Sequence, residues 1–329
     1  MFDIICVGSA TVDAFLSTGD RLFQKTRAHK NLVRVPFGTK ILVDKLMFST
    51  GGGGTNTSVG FSRLGFRAAF IGRVGMGTNS ERIVRELEKE GVDTCFVVRK
   101  KGRTGFSVIL DAKGHDRTIL AFKGSNNELY YQNISKKMLK TKWFYFSSMM
   151  GNSFKTLLKL ADFAKKHKIR AAFNPSSYLA LKGIRHLKKI LDVCEILILN
   201  RGEACELLTG KSDNINIDKL LRGLYKAVPR IVVITDGNKG VYCYDGKFRY
   251  FAKARPVKVI ESTGAGDAFA CAFVSGIMRG RPIEYALQMG SANAESVISH
   301  FGAKHVLLKY REINKFINKC SRKIIKTRL

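Results

Sequence analysis

Short apolar runs alternate with amphipathic stretches along most of this chain, and that rhythm restricts the fold more than any other feature. The runs Ile4–Val7, Ala69–Ile71, Phe144–Phe146, Ala171–Phe173, Ile196–Leu199, Ile231–Ile234 and Val257–Ile260 read as strands. Helical patterns fall at Thr57–Leu64, Ser80–Glu90, Phe154–Lys166, Glu203–Leu208, Ile217–Ala227, Asp267–Arg279 and Ile283–Ser299. In the second of these, Ile83, Val84 and Leu87 form the apolar stripe and Gly91 ends it. Strands that are apolar throughout need cover on both faces, which helices flanking a parallel sheet supply. The expected class is α/β, with a doubly wound, mostly parallel sheet.

Two segments break the rhythm. Residues 14–48 and 95–123 carry strand and turn patterns with no helical period. The second contains Arg103–Leu110, a turn at Asp111-Ala112-Lys113-Gly114, and Asp116–Phe122, which together predict a hairpin. Two β excursions from one α/β body predict a small β-sheet lid over the open edge of the main sheet. The expected division is a body of residues 1–13, 49–94 and 124–329 and a discontinuous lid of 14–48 and 95–123. An exposed lid edge invites pairing with a second copy, so a homodimer through the lid is also expected.

Composition removes several classes of function. The longest apolar stretches, such as Ala268–Ile277, are too short to span a bilayer. Ile4, Ile5, Cys6 and Val7 read as a buried strand rather than a cleavable leader. Seven scattered cysteines show neither CxxC spacing nor a disulfide framework, as expected of reduced thiols in the cytoplasm. The net charge of +31 raises the question of a nucleic-acid partner. The basic residues are spread along the chain, however. The densest group lies in a tail where Ile313, Phe316, Ile317, Cys320 and Ile324 fall at helical spacing. Those charges read as the wet face of a docked helix.

The richest chemical signal is Glu261-Ser262-Thr263-Gly264-Ala265-Gly266-Asp267. An apolar run leads in and a small-residue helical pattern leads out. Unsatisfied N–H groups and the dipole at a helix N-terminus suit a phosphate. Asp267 would repel a bound phosphate but suits a hydroxyl that attacks one. An N-capping Asp after a glycine turn explains the same residues without function. A second glycine cluster, Gly51-Gly52-Gly53-Gly54-Thr55-Asn56, lies far upstream. Asn200 and Glu203 follow an apolar run directly, at a spacing that fits Mg²⁺ held through waters or a helix capping box. Thr235-Asp236-Gly237 ends another run and fits either a ligand site or a hairpin.

These two glycine signatures, in this order, resemble those of the ribokinase-like (PfkB) carbohydrate kinases. The resemblance extends to Gly8-Ser9 with Asp13, Glu90-Gly91-Val92-Asp93-Thr94, Asn200-Arg201-Gly202-Glu203, Thr235-Asp236-Gly237 and Gly302-Ala303. It implies a ribokinase-like fold and ATP-dependent phosphorylation of a sugar or sugar-like hydroxyl, with nucleosides as alternative acceptors. It assigns Asp267 as base and the amides of Gly264, Ala265 and Gly266 as an anion hole. Asp13, Gly52, Gly53 and Asn56 would bind the acceptor, and Asn200, Glu203, Thr235 and Gly237 the nucleotide. Asn200 and Glu203 would hold Mg²⁺ through water, and a monovalent cation such as K⁺ would sit near Glu261–Thr263. Glu261 replaces the family's usual Asp in that loop. Ser147-Ser148-Met149-Met150 replaces a sugar-binding glutamate of ribokinases, which argues against ribose. Gly53 stands where related kinases often have lysine, which favours a neutral acceptor without its own phosphate. A non-catalytic sensor that binds nucleic acid remains the alternative from another class.

Overall fold

Ile4 and Cys6 face one side of the first strand and Ile5 and Val7 the other, and all four are fully buried. Apolar layers on both faces are what a two-sided sheet demands. The computed structural model describes residues 1–17, 23–24, 32–33, 37–111, 118–211, 215–228, 230–300 and 302–329. Its main sheet runs Val97–Arg99, Ala68–Val74, Phe2–Val7, Thr141–Ser147, Arg170–Asn174, Cys194–Asn200 and Ile231–Thr235, all parallel. Three antiparallel strands, Gly240–Tyr244, Phe248–Lys253 and Ile324–Arg328, extend it.

One face packs Phe144, Phe146, Phe173 and Leu197 against the helices Gly151–Lys166, Gly183–Leu191, Arg201–Thr209 and Ile217–Tyr225. The other packs Trp143, Tyr145, Ile196 and Val233 against Gly53–Arg63, Ala265–Met278, Ile283–Ile298 and Tyr310–Lys319. Trp143 and Tyr145 are thus core residues. Among the described residues no helix is long and apolar enough to cross a membrane. All seven cysteines are free, five of them buried.

A separate four-stranded sheet holds Lys45–Gly51, Thr11–Ser17, Gly105–Asp111 and Thr118–Phe122. Thr11–Ser17 pairs antiparallel with Lys45–Gly51 and parallel with Gly105–Asp111. The expected hairpin is present as Gly105–Asp111 against Thr118–Phe122, and its turn at 112–114 lies outside the described residues. Much of 18–36 likewise lies outside them.

Two expectations fail. Val257–Ile260 is not a strand, although its residues are β-branched. The Ile260 N–H donates to Ile298 O at 2.7 Å, at a helix end, and Val257 and Val259 line a cavity instead of a sheet. The tail helix stops at Lys319, with Cys320 already at φ −139°. Ile324 therefore belongs to a strand, Ile324–Arg328, which covers the edge left by Phe248–Lys253. A Cys, Ser, Arg and Lys stretch interrupts the helical period, and the β-branched pair Ile324-Ile325 restarts the chain as a strand.

Candidate active site

The chain leaves the strand Phe2–Val7 toward one side of the sheet, then returns to build its other side from Thr141–Ser147. A crevice opens at such a reversal, beyond the carboxyl ends of the strands. Polar residues end the apolar runs around it: Ser147 beside Asn174, and Asn200 beside Thr235, each pair in register. Two cavities lie along this edge, of about 230 and 410 Å³.

The N-terminus of the helix Ala265–Met278 forms the wall between them. Ser262, Ala265 and Gly266 line the larger cavity, while the next residue, Asp267, lines the smaller. Successive helical residues point about 100° apart (3.6 residues per turn), so adjacent positions serve opposite sides of the wall. Gly264 makes the entry turn at φ +84°, and a Cβ there would also lie 2.4 Å from the Ala303 Cβ. Both constraints call for glycine. The Ala265 N–H donates to Ser262 O at 3.3 Å. Of the expected Gly264-Ala265-Gly266 set, the Ala265 amide is thus engaged within the turn itself. A Cβ on Gly266 would meet nothing within 4 Å, so its peptide is open to the cavity.

Asp267 is held from the neighbouring helix. Asn56 Nδ2 donates to Asp267 Oδ2 at 2.8 Å. The two helices approach so closely that a Cβ on Gly60 would sit 2.4 Å from Cys271 Sγ. Asn56 and Asp267 each lie four residues before that crossing, on the same helix faces, so the contact at Gly60 sets their meeting. Burial pushes the Asp267 carboxyl up from its ordinary value, opposed by the Asn56 bond and the charge of Lys304. Asn56 Oδ1 and Ser147 Oγ are buried with no hydrogen-bond partner among the described residues. A Cβ at Gly53 would lie 3.1 Å from Ser147 Oγ and 3.6 Å from Asp267 Oδ1, so a lysine there would crowd both.

The smaller cavity is lined by Ser9, Gly53, Lys123, Asn126, Ser147, Asn174 and Asp267, among others. Asp13 and Gly52 do not line it. Asp13 is buried behind it in the strand Thr11–Ser17, hydrogen-bonded to Ser107 and Thr11. Burial raises its carboxyl, and Lys304 opposes that rise. Lys304 is itself buried, donating to Thr50 Oγ1 at 2.5 Å and facing Glu86 at 3.3 Å.

Thr235 and Gly237 line the larger cavity, with Val257, Val259 and Phe269 supplying apolar walls. Asn200 and Glu203 line neither cavity. They form a capping box: Asn200 Oδ1 accepts from the Glu203 N–H at 2.8 Å, and Glu203 Oε2 from the Asn200 N–H at 2.9 Å. Arg201 binds Asp236 at 2.8 Å and ties this helix to the Thr235-Asp236-Gly237 turn. The Glu203 carboxyl is pushed up to about 7, chiefly by burial, with Glu206 and Asp267 adding like charge. A carboxyl raised by neighbouring negative charge suits a site that receives a cation. Among the described residues no cluster of three His, Cys, Asp or Glu side chains could hold a metal unaided.

Lys123, Asn174, Ser176 and Lys304 were not singled out by the sequence, and Ser147 was singled out only as the place of a missing glutamate. For Ser147 and Asn174 a signal existed, since each is the polar residue that ends an apolar run.

Comparison with known proteins bears on the family and the fold. Residues 1–309 match the model of the pfkB family of carbohydrate kinases. An uncharacterised sugar kinase of Archaeoglobus fulgidus is 30% identical over 76% of this chain and 98% of its own length. A 5-dehydro-2-deoxygluconokinase of Bacillus velezensis is 27% identical over 96% of this chain and 94% of its own. The structure of Arabidopsis thaliana ribokinase with ribose and ATP superposes with a TM-score of 0.80 at 21% identity, covering 96% of this chain and 98% of that one. With a family model matched over nearly the whole chain and a relative 30% identical over most of it, this chain belongs to the pfkB family of carbohydrate kinases.

Proposed function

We propose that the protein transfers the γ-phosphoryl group of ATP to a hydroxyl of a small sugar or sugar-like acceptor. One observation carries this reading: a single helix N-terminus presents open amides to one cavity and a carboxylate to the other. ATP occupies the larger cavity, its base against the apolar wall of Val257, Val259 and Phe269 and its phosphates toward Gly266. The acceptor occupies the smaller cavity with its hydroxyl at Asp267.

Asp267 accepts the proton of that hydroxyl as the oxygen approaches phosphorus. A carboxyl raised by burial is a better base than one in water, while the Asn56 bond keeps it ionised and aimed. The amides of Gly266 and Asp267 stabilise negative charge on the transferring group. Ser147 Oγ, which lines the cavity, donates to or accepts from other hydroxyls of the acceptor, and Asn56 Oδ1, just behind the lining, is left to accept. Mg²⁺, when bound near Glu203 and Asn200 through waters, neutralises phosphate charge. A K⁺ near Glu261–Thr263 would compete with the bonds that Glu261 Oε1 already accepts from Thr263 N and Oγ1, at 2.7 and 2.6 Å.

The division into a body of 1–13, 49–94 and 124–329 and a lid of 14–48 and 95–123 belongs to the same reading, with lid closure excluding water. Leu46, Phe48, Leu120 and Phe122 are exposed on the small sheet, which supports pairing of two lids in a homodimer. The free thiols suit a cytoplasmic protein. A nucleoside acceptor is the second reading. The smaller cavity, at about 230 Å³, falls below the ~300 Å³ at which drug-sized sites begin, and this favours a single sugar.

Asp267→Asn tests the assignment. The variant should fold, bind ATP as before, and lose turnover by about 10²–10⁴-fold, followed as ADP release. Turnover within a few-fold of the parent would remove Asp267 from the role of base.

A further inference from the structure

The acceptor cavity contains one cation. Lys123 ends the passage from the strand Thr118–Phe122 into the short turn Gly124–Asn127, and it lines the cavity together with Asp267. These two are the only charged side chains of that lining among the described residues. The backbone at Lys123 is well fixed. Three residues on, Asn126 Oδ1 accepts from the Ala10 N–H and its Nδ2 donates to Ala10 O, both at 2.9 Å. This amide pair fastens the turn to the segment after the first strand.

The Lys123 ammonium has no ion pair among the described residues. It sits over the Tyr178 ring, 4.7 Å from the centroid. Burial lowers its pKa, and the charge of Asp13 opposes that. A second cation, Lys304, is already committed to Glu86 and Thr50. A half-buried ammonium with no direct ion pair among the described residues, in a cavity whose lining also holds hydroxyls, amides, two methionines and the Asp267 carboxylate, is a complement for a negative charge on the ligand.

Resting on the kinase reading above, we propose that the acceptor is a sugar acid, with its carboxylate at Lys123 and its reacting hydroxyl at Asp267. One cation matches a monoanion. A phosphate dianion would call for more, and the lining holds neither an arginine nor a lysine at position 53. The neutral acceptor expected from Gly53 is thereby revised: the missing lysine excludes a sugar phosphate, and Lys123 selects a carboxylate.

The test compares acceptors that differ in charge. ADP release is followed with 5-dehydro-2-deoxy-D-gluconate and D-gluconate, with D-glucose and D-fructose, and with D-fructose 6-phosphate. A sugar acid should exceed the best neutral sugar at least tenfold in kcat/KM. In Lys123→Met that preference should fall by about 10- to 100-fold, mainly through KM, and Lys123→Arg should restore part of it. Preference for a neutral sugar, or an unchanged ratio in Lys123→Met, would overturn the proposal. Preference for the phosphorylated sugar would overturn the carboxylate assignment. If no acceptor released ADP, the kinase reading would fail separately. Calorimetric binding of D-gluconate against D-glucose would still decide the role of Lys123. Tighter binding of the acid, lost in Lys123→Met, supports it, and equal or absent binding of the acid overturns it.

Discussion

Replacing Glu203 by Gln should stabilise the unliganded protein while impairing it as an enzyme. The Glu203 carboxyl is pushed from an ordinary 4.5 to about 7 by burial and by the charges of Glu206 and Asp267. At ~1.4 kcal/mol per tenfold, that displacement corresponds to about 3 kcal/mol. Glu203 is only half-buried, and solvent screening reduces the figure to roughly 1.5 kcal/mol. The sign follows from proton uptake. Between pH 4.5 and 7 the folded protein holds a proton that the unfolded chain has lost, so stability falls as pH rises through this window. Gln keeps the capping box, because its amide oxygen accepts from the Asn200 N–H as the carboxylate does. Glu203→Gln should therefore raise Tm by about 3 °C at pH 8, at roughly 2 °C per kcal/mol for a chain of this size. The gain should shrink to about a quarter at pH 5. Differential scanning fluorimetry at the two pH values measures it. Adding MgATP should narrow the gap, since a cation favours the ionised glutamate. A variant no more stable than the parent at pH 8, or equally stabilised at pH 5, would refute the argument.

Asn56→Ala removes the donor that lowers the Asp267 carboxyl. The acid limb of the kcat–pH profile should move to higher pH and kcat at pH 7 should fall by about tenfold or more. An unmoved limb would mean that Asn56 does not hold the base. Gly266→Val places a side chain in the larger cavity, where a Cβ now meets nothing within 4 Å. It should weaken nucleotide binding in calorimetry while Tm changes by no more than a degree or two. Intact ATP affinity would place the phosphates elsewhere.

What could be read from the chain follows from which signals are local. The strands Phe2–Val7 and Thr141–Ser147 and the helices flanking them are periodic within themselves, so an unaided reading finds them within a few residues. Asp267 and Gly266 were equally legible, because a glycine turn between an apolar run and a helix marks its own N-terminus. Val257–Ile260 was misread because β-branched residues serve a cavity wall as well as a sheet, and only the neighbours decide which. Ile324 was misread for a related reason: an isoleucine continues a helical stripe or begins an edge strand depending on a partner, Ala252, more than seventy residues earlier. Lys123 and Lys304 were invisible. In a chain with 57 basic residues, nothing local distinguishes a lysine that turns inward. Both owe their burial to contacts across the fold, with Tyr178 and with Thr50 and Glu86.

The partition between the two cavities is one peptide thick, and this separates two problems that selection would otherwise have to solve together. The two linings have no residue in common, so on the kinase reading the sugar side can be recut at Lys123, Ser147 or Asn174 without touching the residues around the triphosphate. On that reading the reach between phosphorus and incoming oxygen is set by the main chain, and taste for a particular carbohydrate by the side chains around it.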